Sequence, residues 1–411
     1  MAAGVVIAGA GPAGVTIAQG LRAQDPDLAI TLISAEPFAP YSPPAMADYF
    51  MTGRDQTLFW KGTDFCERMG INYLSNTTID ALAVEDKTLL LADGSNIGFE
   101  QLVIATGSGL YAPVHGHDLD GVFNFKSLSA ATRLVEAVRK GAVRRAVIVG
   151  GGFIGVELAL LLRSLNVDVV MVDREDRIMH RMLDAETAQI VLDQLIAHGV
   201  TVRLRTEAHA FVGDRHAEGV ELGSGEVLHG DAYVAATGVK PNVEWLTGSA
   251  LTHDWGITVD DCLCTTAEGV WAAGDVAETR DLLTGERYVH AIFPNAIAQA
   301  HVVTRGLLGL PSHYAGAEAM NSLKHLGVEV MAVGASSGDE ELRYRRGGLL
   351  RKVFLRDGRI VGFRLAGDIS AAGAYRSLML RGVDVTRWRN GLLDARPGAV
   401  WMRGALAASN I

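Results

Sequence analysis

Two glycine runs of identical spacing, Gly9-Ala10-Gly11-Pro12-Ala13-Gly14 and Gly150-Gly151-Gly152-Phe153-Ile154-Gly155, are the residues of this chain best suited to hold a pyrophosphate. In such a run the first glycine turns the chain out of a strand and the second lets the backbone approach the phosphates. The third lets the next helix pack closely, so that the phosphates rest on free N–H groups at its N-terminus. An acidic residue about 20 positions later should accept a ribose diol. Both runs have one, Glu36 and Asp173. Two complete sets point to two dinucleotides, and the redox-competent pairing is a flavin with a nicotinamide.

These residues need strands and helices to place them. Val5-Val6-Ile7-Ala8 and Ala146-Val147-Ile148-Val149 read as buried strands entering the loops, and Ile30–Ala35 and Val169–Val172 as the strands that end at the acids. After the first acid come a turn-rich loop, Pro37 to Pro44, a helical stretch, a hairpin turning at Asp93-Gly94 and the strand Leu102–Ala105. The second half repeats the plan and reaches Tyr233–Ala236, then Gly269–Asp275. Beyond Met320 the pattern changes. Val328–Val333, Glu341–Arg345, Leu349–Arg356 and Arg359–Leu365 read as antiparallel strands, with Asp357-Gly358 as a hairpin turn and a covering helix near Ser370–Arg381.

The 411 residues allow two or three domains, and 49% hydrophobic with 20% charged residues describes a chain able to bury large cores. Three cysteines give no disulfide framework and suit a reducing cytoplasm, which is the expected location. The first strand begins almost at once, without a basic segment ahead of it. The longest apolar stretch, Ala146 to Leu162, holds four glycines and Glu157 and fits a buried strand and helix, not a membrane span. Neither a membrane nor a nucleic-acid partner is expected, and no side-chain set marks a metal site. Charge is uneven: residues 320–411 carry a net +7 and the first 319 residues −17, a basic segment on an acidic body.

Taken together, the two runs, the strand ends Ala105-Thr106-Gly107 and Ala236-Thr237-Gly238 with Val239-Lys240-Pro241-Asn242, and Ala272-Ala273-Gly274-Asp275-Val276-Ala277 resemble the flavoproteins of the pyridine nucleotide–disulfide oxidoreductase superfamily. The resemblance covers essentially the whole chain. It implies an α/β fold of two Rossmann-like domains, one inserted in the other, plus a C-terminal α+β interface domain. The FAD-binding parts are then residues 1–112 and 244–318, the NAD(P)H-binding domain 113–243 and the C-terminal domain 319–411. For FAD it implies contacts from Gly9, Gly11, Pro12, Ala13, Gly14, Glu36, Pro44, Ile79, Ala105, Thr106, Gly107, Asp275, Pro294 and Asn295. Asp275 would meet the ribityl chain. His290–Asn295 would open a helix aimed at the pyrimidine edge of the flavin, with Asn295 also readable as a plain N-cap. For NADH it implies Gly150, Gly151, Gly152, Phe153, Ile154, Gly155, Glu157, Asp173, Arg174, Thr237 and Gly238, with Phe153 and Glu157 near the nicotinamide. Asp173 favours NADH over NADPH, although Arg174 and Arg177 are placed to complicate that choice.

Disulfide reductases of this superfamily carry a cysteine pair after the first acid, and the chain instead reads Tyr41-Ser42-Pro43-Pro44-Ala45-Met46-Ala47-Asp48. The resemblance therefore narrows to rubredoxin and ferredoxin reductases and to the flavin module of nitrite reductases, with Asp48 where oxygenase-linked relatives have a lysine. Hydride would pass from NADH to the flavin without a catalytic side chain, and electrons onward to a small ferredoxin- or rubredoxin-type acceptor. Alternatives are a flavin subunit of a multi-component redox system and an NADH-sensing flavoprotein that signals through assembly. Arg343, Arg345, Arg346, Arg351, Lys352, Arg356, Arg359 and Arg364 suggest a basic face for an acidic acceptor, or else charges that pair with the acidic body across an interdomain or homodimer interface.

Overall fold

The computed structural model describes residues 4–393. The chain forms two compact units: Met1–Tyr111 with Phe125–Val135 and Val239–Ala317, and Ala112–Asn124 with Glu136–Gly238 and Glu318–Ile411.

The first unit is built on a five-stranded parallel sheet ordered Val270–Ala272, Gln101–Ile104, Val5–Ala8, Ile30–Ile33 and Asn72–Leu74. Val5–Ala8 is buried at every residue, as the centre of a sheet covered on both faces requires. The helix Pro12–Gln24 follows it and lies close to the helix Phe293–Leu307: a Cβ on Gly20 would sit 2.9 Å from the Thr304 methyl. The expected Asp93-Gly94 turn joins Thr88–Leu91 to Asn96–Gly98, beside Ile79–Ala83. Two smaller sheets complete the unit. One pairs Ser108–Leu110 with Val239–Pro241, and the other orders Ile257–Thr258, Ala277–Arg280 and Arg287–Val289.

The second unit repeats the parallel architecture, with strand order Val200–Arg203, Asp168–Val172, Arg145–Val149, Ala232–Ala235 and Val122–Phe123. It also contains a five-stranded antiparallel sheet, Met320–Leu323, Val330–Gly334, Arg359–Ala366, Leu349–Arg356 and Glu340–Arg346, against which the helix Ala372–Leu380 packs. The expected turn is there: Asp357 and Gly358 have φ of 50° and 71°, the left-handed pair that a two-residue hairpin demands. Sequence reading missed Met320–Leu323, whose Asn321-Ser322 centre lacks the β-branched signature of a strand. No helix among the described residues is long and apolar enough to cross a membrane.

Candidate functional site

The two glycine runs fold to the same geometry. Gly9 and Gly150 leave their strands at φ of 119° and 114°. A Cβ on Gly9 would lie 2.0 Å from the Ala105 carbonyl oxygen, and one on Gly150 2.3 Å from that of Ala236. Gly14 and Gly155 are as tight, their Cβ positions falling 2.0 and 2.1 Å from the carbonyl oxygens of Gly9 and Gly150. Gly11 and Gly152 are the opposite case, with no atom within 4 Å of the Cβ position. Both are N-caps in ordinary extended conformation without a side-chain cap. An open space over a helix N-terminus whose first N–H groups lack helical partners is what a pyrophosphate fits. In the first loop those groups belong to Ala13 and Gly14, because Pro12 has none.

Glu36 follows the strand Ile30–Ile33, and its carboxylate already holds protein donors. Oε1 accepts from the Ser129 N–H (2.8 Å) and hydroxyl (2.7 Å), and Oε2 accepts from the Tyr41 hydroxyl at 2.5 Å. Tyr41 in turn accepts from the Leu128 N–H at 3.0 Å. Burial, with Glu36 beside it, pushes the Tyr41 phenol far above its usual range. The turn leading into Ile79 hangs on this region, since the Asn76 N–H donates to the Glu36 carbonyl and the Thr77 N–H to that of Ser34.

Around Asp275 the structure gathers residues far apart in sequence. Its Oδ2 accepts from the Ser108 hydroxyl (2.8 Å) and pairs with the Lys126 ammonium (3.1 Å). The preceding Gly274 donates its N–H to the buried Gln299 at 2.6 Å, which couples the Gly-Asp turn to the helix Phe293–Leu307. Thr106 and Asn242 exchange hydrogen bonds of 3.1 and 2.8 Å, fixing the Ala105-Thr106-Gly107 strand end. Pro294 lies in the first turn of that helix and Asn295 is its third residue, buried. Ile292 is the N-cap, so the N-cap reading of Asn295 fails. Pro44 is exposed on the short turn before the helix Met46–Thr52, which carries Asp48.

In the second unit Asp173 braces its own glycine loop, accepting from the Gly151 N–H (2.5 Å) on one oxygen and the Glu175 N–H (2.8 Å) on the other. Arg177 is engaged with the carbonyls of Leu183 and His180 and with Asp176, whereas Arg174 only pairs with Glu175, at 3.3 Å. Phe153 and Ile154 open the helix Phe153–Ser164, and Glu157 lies one turn along it. Burial pushes the Glu157 carboxyl up to about 7, against a partial pull from Lys324. Thr237 and Gly238 follow Ala232–Ala235, which the Ala236 N–H ties to Val149 at 2.8 Å.

The cations of 343–364 divide between buried or ion-paired positions and exposed ones. Lys352 and Arg364 are buried, as is Arg351. Lys352 pairs with Asp184 (2.9 Å), Glu186 (3.1 Å) and Glu341 (3.2 Å), while Arg343 and Arg345 close on Glu186 at 2.6 and 2.8 Å. Arg351 pairs with Asp368 at 2.6 Å, and Arg364 donates to the carbonyls of Val333 and Phe363. Arg346, Arg356 and Arg359 remain exposed. Arg343, first among its partners, holds the Glu186 carboxyl down at about 2. Ion pairing within the chain thus takes up Arg343, Arg345, Arg351 and Lys352, four of the eight cations assigned to an acceptor. Burial pushes the Cys66 and Cys264 thiols up to about 11, and no cluster of metal-binding side chains occurs among the described residues.

Sequence reading missed Ser108, Lys126, Ser129 and Gln299, and quoted Tyr41 and Asn242 within motifs without giving them a role. Each acts through a partner 25 to 167 positions away or through a residue itself so placed, which no local pattern records.

The signature of the family described as pyridine nucleotide-disulphide oxidoreductase matches residues 3–302. The epsilon subunit of an NADH-dependent phenylglyoxylate dehydrogenase from Aromatoleum evansii is 29% identical, over 96% of this chain and 95% of that one. A rubredoxin-NAD(+) reductase from Pseudomonas putida is 30% identical over 74% of this chain and 80% of its own. Among solved structures, a ferredoxin reductase from Rhodopseudomonas palustris is 26% identical and superimposes with a TM-score of 0.87 over 98% of this chain and 99% of that one.

Proposed function

The chain belongs to the pyridine nucleotide-disulphide oxidoreductase family, and from that premise we propose that it is an NADH-dependent FAD reductase delivering electrons to a small ferredoxin- or rubredoxin-type protein. It is an oxidoreductase of flavin and NAD(H) type. The observation that carries the finer reading is the pair of open cradles at Gly11 and Gly152, each with an acid at the end of the following strand and neither with a thiol nearby in sequence.

In this reading residues 1–112 and 244–318 bind FAD. Gly11, Ala13 and Gly14 hold its pyrophosphate and Asp275 its ribityl chain, while Glu36 shares its carboxylate between the adenosine ribose and Ser129. Residues 113–243 bind NADH through the second cradle, and residues 319–411 are the C-terminal α+β interface domain. Asp173, fixed by Gly151 and Glu175, presents a carboxylate that accepts a 2′-hydroxyl and repels a 2′-phosphate. Arg177 is spent on the loop itself, which supports NADH over NADPH. FAD held there would supply the redox chemistry, accepting hydride equivalents from the nicotinamide and passing electrons to a carrier. The chain's own contribution is to bind, orient and shield: the helix N-termini hold the phosphates, and Phe153 and Glu157 line the nicotinamide side of the second cradle.

The test is direct. Protein reconstituted with FAD should bleach under anaerobic NADH and then reduce a ferredoxin or rubredoxin; bleaching by NADPH alone, or no bleaching, would overturn the proposal. A second reading, a flavin subunit docked in a larger oxidoreductase, draws support from the end-to-end match to a subunit of a multi-subunit dehydrogenase. Fast NADH bleaching with no turnover on any free carrier would favour it.

A further inference from the structure

Asp281 and His290 form a buried titratable pair that the reading above does not use. Their side chains are 7% and 3% exposed, and His290 Nε2 lies 3.1 Å from Asp281 Oδ2. His290 Nδ1 faces the Tyr288 carbonyl oxygen at 3.1 Å, and the Tyr288 ring stacks on the imidazole with centroids 3.6 Å apart. A neutral imidazole has one N–H and one lone pair, so in either tautomer a lone pair would confront an oxygen. The imidazolium satisfies both. Asp281 is ready to be its counter-ion: Oδ1 accepts the N–H groups of Leu283 and Thr284, both at 2.8 Å. Burial pushes the Asp281 carboxyl up, but those two donors and His290 outweigh it and hold it below the usual carboxylate range. Burial also pulls the His290 imidazolium down and outweighs the opposing Asp281 and Tyr288 carbonyl, so the group titrates below the usual imidazole range and the pair is ionised on the acid side of it.

The pair sits at a joint. Asp281 follows the strand Ala277–Arg280, and His290 follows its partner strand Arg287–Val289. The His290 carbonyl then accepts the N–H of Ile292 at 2.8 Å, and Ile292 is the N-cap of the helix Phe293–Leu307. The other ionisable group against the imidazole is Tyr288, whose hydroxyl is 3.4 Å from Asp281 Oδ2 and whose phenol is raised by burial, by Asp281 and, more weakly, by Glu286. Arg280 is engaged with Asp261.

We propose that Asp281 and His290 form a buried ion pair that positions the N-terminal end of the helix Phe293–Leu307 and, through its charge, sets the reduction potential of the flavin. This rests on the reading of that helix as flavin-facing. His290 and Asp281 are positioning residues, and charge distinguishes them from a merely structural contact. His290→Gln keeps a donor toward Asp281 but leaves the anion uncompensated. Asp281→Asn leaves a neutral pair in which the amide donates to Nε2 and Nδ1–H to Tyr288, with the same net charge as the ion pair.

The experiment measures the flavin midpoint potential of purified holoprotein from pH 5.5 to 8.5. Flavin content, read first from the visible spectrum, tests the FAD reading separately; wild-type protein that binds no FAD overturns that reading and this proposal with it. At pH 5.5, where the imidazolium is most populated, His290→Gln should lower the reduced-to-oxidised ratio at a fixed potential about tenfold, about 30 mV for a two-electron couple, and the difference should close toward pH 8.5. Asp281→Asn should stay within about threefold of wild type at pH 5.5 and lose the break in the pH profile where the imidazolium deprotonates. Should His290→Gln fail to hold flavin, the Asp281→Asn/His290→Gln double variant, neutral and similar in shape, should bind it with a near wild-type potential and no break. Equal shifts from the two single variants, or unmoved potentials and an unchanged pH profile with flavin bound, would overturn the proposal.

Discussion

Alanine substitution along the first glycine run separates the residues that shape the fold from the one that holds the ligand. At Gly9 the backbone has φ of 119° and the new Cβ would fall 2.0 Å from the Ala105 carbonyl oxygen. Left-handed strain alone costs about 1–3 kcal/mol, and relieving the overlap means moving a central strand. Gly9→Ala should therefore cost about 3 kcal/mol or more in the flavin-free protein. Gly11 is at φ −77°, ψ −174°, with no atom within 4 Å of its Cβ position. There alanine gains about 0.4–1 kcal/mol by restricting the unfolded chain. It loses a similar amount because glycine is the better N-cap. The two nearly cancel, and the melting temperature of flavin-free Gly11→Ala should stay within about 2–4 °C of wild type. The methyl group nevertheless occupies the phosphate cradle, so FAD affinity should fall at least about tenfold, or 1.4 kcal/mol. Thermal melts of flavin-free protein and titration of FAD fluorescence give the two numbers. A Gly11→Ala protein that binds FAD as tightly as wild type, or one as unstable as Gly9→Ala, would refute the assignment of the cradle.

Other outcomes follow from the same geometry. Asp173→Asn should raise the NADPH-to-NADH ratio of kcat/KM by about tenfold or more, since a hydrogen bond to a charged group is worth about 1.5–3 kcal/mol; an unchanged ratio in steady-state kinetics would place specificity elsewhere. The Glu157 carboxyl, raised by burial to about 7, binds its proton more tightly folded than unfolded. Its contribution to stability is therefore greatest below about pH 4.5 and falls as pH rises toward 7, and Glu157→Gln should stabilise the protein by about 1–2 kcal/mol at pH 8 but not at pH 4.5, read from denaturant midpoints. Lys352→Met strands Asp184 beside a half-compensated Glu186 and should cost about 2–4 kcal/mol, whereas Arg346→Ser should leave stability unchanged within about 0.5 kcal/mol.

What the sequence discloses here is what the backbone itself demands. A glycine that must turn at φ above 110° or sit 2.0 Å from a carbonyl leaves a mark at a fixed position, and both cradles carry it. Buried strand segments such as Val5–Ala8 and Ala146–Val149 are marked by apolar runs too short for a helix. Charge left two readings open, a docking face or pairing with the acidic body, for the opposite reason. The cations of 343–364 alternate on antiparallel strands, and a list of their positions says nothing of Asp184 and Glu186, which lie more than 150 residues earlier and neutralise Arg343, Arg345 and Lys352. Asn295 shows a third limit. Its polar side chain suggested a helix cap, but the helix begins two residues before it, at Phe293, so the residue is turned inward at the third position.

The two acids make the sharpest contrast, because the local pattern around them is the same and the chemistry is not. Asp173 finds its donors at Gly151 and Glu175, within its own strand–loop–helix unit, so its orientation is complete as soon as that unit folds. Glu36 finds them at Tyr41 and at Ser129, 93 residues away at the start of the helix Leu128–Arg139. A carboxylate offers about four lone-pair directions, and three are taken by protein donors. A ribose diol at Glu36 must use the fourth or displace one of the three, and displacement would loosen the cap of a helix whose anionic neighbour is stabilising. Ser129→Ala removes the hydroxyl donor and keeps the N–H. If ribose and helix share Glu36, this variant frees a second acceptor direction and should tighten FAD binding while lowering the melting temperature of the flavin-free protein. Weaker FAD binding together with lower stability would mean that Glu36 serves the helix alone.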